Sequence, residues 1–306
     1  MEAKDIKQLA KSHGFSHCGI ASSDTSFDIE QTYYQDVINK KGVGQMSYLC
    51  RNIESRFQAT ALLPECKSVI VCLYPYLTGV KPQHHYRFAK YSYLKDYHLL
   101  LKEKLGKMLQ TLQEAGVVER GVVTVDSTPI VEKCWAVAAG VGLMGKNSLI
   151  HNDQGSYYLI GLLLTDAVFD YDTPLNGGVS DCGDCDLCVQ TCPSCAINSP
   201  YRLDVCRCFS YYSTTKASLE EMTFDSEQRI FGCDLCQDIC PKNKNSIINR
   251  DAIKHLHPFI SYTDEQLNSI TKEEFKTVFK NTVLERMNYE KWRALIAQTI
   301  INLPFH

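Results

Sequence analysis

The sequence predicts an α/β (α+β) fold: a first domain alternating strands with helices, then a cysteine-rich module, then a short helical C-terminal segment. Three observations carry this. Strand-like and helix-like stretches alternate through roughly the first 175 residues, the pattern of layered helix-on-sheet domains. Ten of the fifteen cysteines crowd between Cys182 and Cys240. Beyond Lys244 the chain turns polar and helix-forming, ending in "NYEKWRALIAQTIINL". At 306 residues the chain is long enough for a sizeable core and two domains. "DYDTPLNGGVSD" reads as a linker, which divides the chain into residues 1–175, 176–245 and 246–306.

The elements follow in order. Met1 to His13 has apolar residues at Ile6, Leu9 and Ala10 and closes on His-Gly, a short helix with a C-terminal stop. "SVIVCLYPY" (Ser68–Tyr76) is an unbroken apolar run, a buried strand ending at Pro75. From Asp96 to Ala115, Tyr97, Leu101, Leu105, Met108 and Leu112 recur at helical spacing, and Gly116 stops the helix. "GVVTVD" (Gly121–Asp126) is a second buried strand, closed by Asp126. Pro129 opens a helix running through Ala139, with Ser127 or Thr128 as its cap. Tyr157 to Thr165 is a third strand. No solenoid repeat or low-complexity tract is present, although the two cysteine runs resemble a duplicated half.

Composition narrows the function classes. A net charge of −3 does not advertise nucleic-acid binding, while leaving room for a local basic face. The N-terminal "MEAKDIKQLAKSHGF" has acidic residues and no apolar core, so no secretory signal is read, and no run approaches the length of a membrane span. A cytoplasmic protein is expected. In a reducing compartment fifteen cysteines argue for metal or redox chemistry rather than a disulfide frame.

"GVGLMGKN" (Gly140–Asn147) satisfies two nucleotide motifs at once. Gly140, Gly142 and Gly145 fit the dinucleotide pattern G-x-G-x-x-G, and Gly140, Gly145 and Lys146 almost fit a phosphate-binding P-loop. Both motifs require a preceding strand, and here "PIVEKCWAVAAG" precedes, itself helix-like. Asn147 stands where a P-loop needs a hydroxyl for magnesium, and Asp166 is weak support for a ribose contact. The stretch is expected to be a helix stop and a turn, whose glycines also permit a flat cofactor to approach the backbone.

The cysteine block is more specific. Cys182-x2-Cys185-x2-Cys188-x3-Cys192-Pro193 is the bacterial ferredoxin run. Three closely spaced thiolates wrap one face of a cubane, and the fourth points toward a second cluster. Cys233-x2-Cys236-x3-Cys240-Pro241 has the same ending but Ile230 where its first cysteine would stand. The crossed arrangement assigns Cys182, Cys185, Cys188 and Cys240 to one cluster. The other takes Cys192, Cys233, Cys236 and an eighth ligand, for which Cys195, Cys206 and Cys208 are candidates and spacing does not choose. Paired zinc knuckles are the rival, but zinc does not require the C-x3-C-P ending. Two adjacent clusters make a one-electron relay, whose acceptor belongs to the first domain.

"VDSTPIVEKCWAVAAGVGLMGKNSLI", "GSYYLIGLLLTD", "CGDCDLCVQTCP", "RCFSY" and "FGCDLCQDICPKNK" resemble the epoxyqueuosine reductases, as do "GQMSYLCRNIESR", "LLPECKSVIV" and "KDYH" nearer the N-terminus. The resemblance extends from near Met1 to about Leu303. It implies a cobalamin-dependent reductase with two [4Fe–4S] clusters, converting epoxyqueuosine to queuosine at the wobble position of tRNAs decoding Asp, Asn, His and Tyr. It also implies a nitroreductase-like cobalamin-binding domain, as in the reductive dehalogenases, joined to a ferredoxin-like domain. The "RCxS" element makes Cys208 the eighth ligand and leaves Cys206 spare. Many members of the family continue into a helical-repeat extension beyond the position of His306. The partners implied are tRNA and an external one-electron donor of ferredoxin or flavodoxin type; no membrane is involved, and the enzyme is expected to be a monomer.

The resemblance also gives roles to residues. Asp126 becomes the catalytic acid for opening the epoxide, with a pKa expected to be raised by desolvation against the corrin; the residues alone equally allow a helix-capping aspartate. Lys133, seven positions on, is expected to pair with Asp126 or a phosphate, or to be solvated. Gly145, Lys146, Asn147, Ser148 and Ile150 are expected along the corrin, with Arg56, Tyr91, Ser92 and Tyr97 as further cofactor contacts and Asp96 and His98 as weaker ones. His98 reads as structural rather than as a cobalt ligand. Ser210 and Tyr211 are placed between cluster and corrin or at the domain interface, and Lys242 and Lys244 read as a solvated face. The rivals are a reductive dehalogenase, which usually carries a twin-Arg signal not seen here, a non-catalytic two-cluster electron carrier, and a flavin or NAD oxidoreductase with a ferredoxin tail.

Overall fold

The computed structural model describes residues 1–40, 42–199 and 201–301; Asn302 and Leu303, the end of the expected C-terminal helical run, lie outside them. In chain order the first part runs α1 (Ala3–Ser12), β1 (His17–Ser22), α2 (Asp28–Asn39), β2 (Ser68–Pro75), β3 (Arg87–Phe88), α3 (Tyr97–Glu114), β4 (Gly121–Thr124), α4 (Glu132–Ala138), β5 (Leu143–Met144), β6 (Ile150–His151) and β7 (Tyr158–Thr165). The main sheet has the order β1-β2-β7-β4, with every neighbour antiparallel. It is therefore an α+β domain, a choice that strand–helix alternation alone did not make.

β2 is buried along its whole length because helices cover both faces of the sheet. Its side chains alternate between those faces. Ile70, Cys72 and Tyr74 join Leu101, Leu105, Met108 and Leu112 of α3 in one core. Val69, Val71 and Leu73 join Trp135 and Ala136 of α4 in the other. Asp96 caps α3, its carboxylate accepting the His98 backbone N–H.

Two expectations change near Asp126. β4 ends at Thr124, and Asp126 sits beyond it in the left-handed region at φ +49°. The helix after Pro129 begins only at Glu132, and its flanking residue Val131 makes no side-chain cap. Ser127 N–H turns back to Val125 O and Ile130 N–H to Thr128 O, so tight turns use the backbone that a cap at Ser127 or Thr128 would have needed. β1 and α2 had no clear sequence signal, β1 being the short "HCGIAS".

Gly140 stops α4 at φ +65°, and residues 145–148 form the turn of the β5–β6 hairpin. The glycine motif thus follows a helix and opens none, which removes both nucleotide readings.

The remaining elements are α5 (Leu187–Thr191), β8 (Ile197–Ser199), β9 (Arg202–Leu203), α6 (Phe209–Thr214), β10 (Arg229–Phe231), α7 (Leu235–Asp238), α8 (Arg250–Ile253), α9 (Asp264–Ser269), α10 (Lys272–Val278) and α11 (Tyr289–Ile301). β10 pairs in parallel with β3, far back in the chain. Around that pair Phe88, Tyr93, Phe231, Phe259, Phe279 and Trp292 form a separate aromatic core. The C-terminal segment is thereby packed onto residues of the first part. No described helix is long and apolar enough to cross a membrane.

Candidate active site and cluster cavities

α5 and α7 lie against each other, each beside one cysteine run. Cys182, Cys185 and Cys188 of the first run and Cys240 of the second line a single cavity with Lys146, Asn147 and His151. The other four thiols gather nearby. Burial, then the charges of Cys233 and Cys208, then Asp234 and Cys192, push the Cys236 thiol far up. Cys208 in turn feels Cys192, and Cys233 feels Cys208. Cys208, Cys233 and Cys236, raised by burial, give up their protons as a metal binds. Among the described residues no three His, Cys, Asp or Glu side chains converge tightly enough to hold a single ion. Four thiols around one cavity, from a C-x2-C-x2-C run and a C-P ending, are the donor set of a cubane. Cys206 lies apart, against Tyr211 and Gly44, and Cys195 is exposed.

Asp126 stands at the centre of a hydrogen-bonded chain. Its Oδ2 lies 2.8 Å from His98 Nε2, and His98 Nδ1 lies 2.6 Å from Asp96 Oδ1. Arg286, 188 positions from His98 in sequence, reaches His98 Nδ1 and Asp96 Oδ2, each at 3.2 Å. Glu132 Oε1 accepts the Asp126 backbone N–H at 2.6 Å, tying down a residue whose left-handed backbone is strained for an aspartate. The protein's own residues do not raise the Asp126 pKa. The His98 hydrogen bond, outweighing burial, holds the Asp126 carboxyl below its ordinary value, with Tyr97 and Arg286 adding to it. The raised carboxyl is Glu132, which burial pushes up to about 8.

The Asp126 side chain is 57% exposed, yet burial still opposes its ionisation, as at the floor of a concave surface. Tyr48, Tyr91 and Tyr97 all feel its charge, and Tyr97 stacks on His98 with ring centroids 4.0 Å apart. Lys133 is surface-accessible in the same way, but burial lowers its pKa, while Asp126 and Cys236 are among the charges opposing that shift. Its Nζ donates to Ser148 O at 2.7 Å rather than pairing with Asp126. Ser148 is also left-handed, at φ +60°.

The other expected contacts divide. Gly145, Lys146 and Asn147 border the first cluster cavity, with Lys146 Nζ on Gly183 O and Asn147 Nδ2 on Cys236 O. Ser92 is fully buried with its hydroxyl given to Ala89 O, and Ile150 packs in the α4-side core, so neither side chain faces a cofactor. Arg56 spends its guanidinium on Arg51 O and Tyr48 O, which shapes the loop bearing Tyr48. The Tyr211 hydroxyl accepts the Gln45 N–H, so this ring packs an interface, and Ser210 turns toward Cys208. Lys242 is paired with Asp181 rather than simply solvated. Sequence reasoning missed Tyr48, Glu132 and Arg286 and read His98 as merely structural; for Arg286 no local signal exists, while "KDYH" already held the Asp96–His98 pair.

Together the fold and site define an iron–sulfur oxidoreductase in which paired thiol sets stand beside a hydrogen-bonded acid–base chain. Residues 56–127 match the family model "Epoxyqueuosine reductase QueG, DUF1730", and residues 181–243 match the "4Fe-4S double cluster binding domain". The chain is 34% identical over 294 residues to the epoxyqueuosine reductase of Cyclobacterium marinum, covering 93% of this chain and 92% of that one. A crystal structure of epoxyqueuosine reductase with an epoxyqueuosine-modified tRNA-Tyr stem loop aligns with a TM-score of 0.82 at 27% identity, covering 97% of this chain and 80% of that one. The chain belongs to the epoxyqueuosine reductase family. A catabolic reductive dehalogenase, 15% identical with a TM-score of 0.53 over 98% of this chain and 36% of its own, shares the fold.

Proposed function

We propose that this chain reduces epoxyqueuosine to queuosine at the wobble position of tRNA, within the cytoplasm and as a monomer, using cobalamin and two [4Fe–4S] clusters. Residues 1–175 would hold the cobalamin, 176–245 the clusters, and 246–306 would brace the site through Arg286. The observation that carries the reading is adjacency. Lys133, on the helix that follows Asp126, donates to Ser148 O, and the neighbouring Asn147 donates to Cys236 O, so the acid's segment and a cluster ligand meet on one turn.

The surroundings of Asp126 suit a corrin by their chemistry: the rings of Tyr48, Tyr91 and Tyr97 lie within reach of its charge, and Asp126 and Lys133 are surface-accessible yet desolvated. Those residues and Ser148 would hold it. When bound, cobalamin supplies a low-valent metal centre for two-electron reduction, recharged singly through the clusters by a ferredoxin- or flavodoxin-type donor. His98 is unsuited to ligate it, because both its ring nitrogens face carboxylates.

Removing an epoxide oxygen as water takes two electrons and two protons. The two ring nitrogens of His98 face the carboxylates of Asp96 and Asp126, which sets a hydrogen-bonded chain behind the acid. Asp126, with His98 Nε2 at 2.8 Å behind it, is placed to deliver one proton to the epoxide oxygen, and solvent water would supply the second that releases it as water; such an acid is worth roughly 10²–10⁴-fold in rate. Arg286 and Asp96 keep the imidazole in position.

The test is EPR of anaerobically reconstituted protein with cob(II)alamin, followed by turnover of epoxyqueuosine-containing tRNA. A base-off cobalt signal beside reduced-cluster signals is expected, with Asp126→Asn binding cobalamin but losing turnover by about 10²-fold or more. If cobalt stays unbound while the clusters reduce normally, the proposal fails.

A further inference from the structure

His151 ends β6 and is 3% exposed. It lines the cavity shared by Cys182, Cys185, Cys188 and Cys240, and its buried Nε2 has no hydrogen-bond partner. The nearest charge is Asp181 Oδ1 at 3.5 Å, and the other oxygen of that carboxylate is held by Lys242. The remaining donors on the same wall are engaged: Lys146 with Gly183 O, Asn147 with Cys236 O, and the Ser156 hydroxyl with Asn243. The ring fits against the wall because residue 145 is glycine; a Cβ there would come within 3.2 Å of His151 Cδ2 and 2.8 Å of Asn147 Oδ1. Buried polar atoms in folded proteins are almost always partnered. Here the unpartnered atom belongs to a residue that lines the cavity enclosed by four thiols.

We infer that His151 donates its Nε2–H to a sulfur of the cluster held by Cys182, Cys185, Cys188 and Cys240, and so raises that cluster's reduction potential. This rests on the assignment of those four cysteines to one cluster. Reduction adds negative charge that spreads onto the sulfurs, and a hydrogen bond to sulfur stabilises the more negative state. Such bonds are among the few levers a protein has on a cluster of fixed ligation. The other cluster, held by Cys192, Cys208, Cys233 and Cys236, has no place in this cavity, so the effect is confined to one of the two.

The test is a redox titration of the reconstituted holoprotein, followed by EPR. In His151→Leu the reduced-to-oxidised ratio of one cluster at fixed solution potential should fall about tenfold, a negative shift of about 59 mV for a one-electron couple. The other cluster should not move, and His151→Gln, which retains an N–H donor, should recover most of the loss. Unchanged midpoints in His151→Leu overturn the inference, as do equal shifts in both clusters or in both variants. Should His151→Leu take up no cluster, histidine-selective 15N labelling of the unsubstituted protein decides. Pulsed EPR of the reduced-cluster signal must then show a 15N coupling, and its absence overturns the inference. The underlying cluster assignment fails on a separate readout, the iron and sulfide content of the unsubstituted protein and of Cys240→Ser.

Discussion

Replacing Glu132 with glutamine should flatten the pH dependence of stability between about 4.5 and 8. Burial pushes the Glu132 carboxyl from its ordinary 4.5 up to about 8. Between those values the folded protein retains a proton that the unfolded chain has released. The stability linked to this group is therefore complete below about 4.5 and is lost as pH rises through about 8. Inside that window the slope is about 1.4 kcal/mol per pH unit. Taken across the difference, 8 − 4.5, the upper limit is about 5 kcal/mol, and partial access to water reduces this to about 2. Glutamine has the same shape and its Oε1 still accepts the Asp126 N–H, a bond of 2.6 Å with glutamate, so the loop survives. The two proteins should have equal urea midpoints at about pH 4, and the variant should be the more stable by about 2 kcal/mol at about pH 8. A difference in midpoint that is the same at both ends of the range would refute the reasoning.

Cys208→Ser should lower bound iron from about eight to about four per chain, while Cys206→Ser leaves it at about eight, as iron analysis of reconstituted protein will show. Arg286 pairs with Asp96 from a side chain 56% exposed, so Arg286→Met should cost less than about tenfold in kcat. The hydrogen bonds from His98, with Arg286 beside them, hold Asp96 low against its burial; without Arg286 the acid limb of the kcat–pH profile should move to higher pH, and Arg286→Lys should restore it. Gly44 sits at φ +50°, and a Cβ there would come 2.2 Å from the Tyr211 hydroxyl. Gly44→Ala should therefore destabilise the fold by about 1–3 kcal/mol, and a thermal melt that does not move would contradict the packing described.

Much of this protein is written locally. The apolar spacing of residues 97–112 is enough to define α3, because helix periodicity is set by neighbours three and four positions apart. The ferredoxin run announces iron–sulfur chemistry because cubane ligation fixes loop spacing. The helix-like residues before Gly140 already spoke against a nucleotide loop, and the hairpin at 145–148 agrees. Other features depend on contacts that no local pattern encodes. Spacing left Cys195, Cys206 and Cys208 equivalent as eighth ligand; packing sets Cys208 among Cys192, Cys233 and Cys236 and puts Cys206 beside Gly44. Ser92 and Ile150 carry residue types suited to a cofactor wall, but burial turns them inward. A pKa reflects every charge around the group, and the charges that bear on Asp126 lie far off in the chain. His98 comes from α3 and Arg286 from the C-terminal segment, and both are invisible from the stretch "VDS". The sequence alone determined the elements and the cluster chemistry, which arise from interactions over a few residues. Only the tertiary structure decided the antiparallel sheet, the company each thiol keeps and the ionisation of the acid, since strand pairing and electrostatics act through space between residues far apart in the chain.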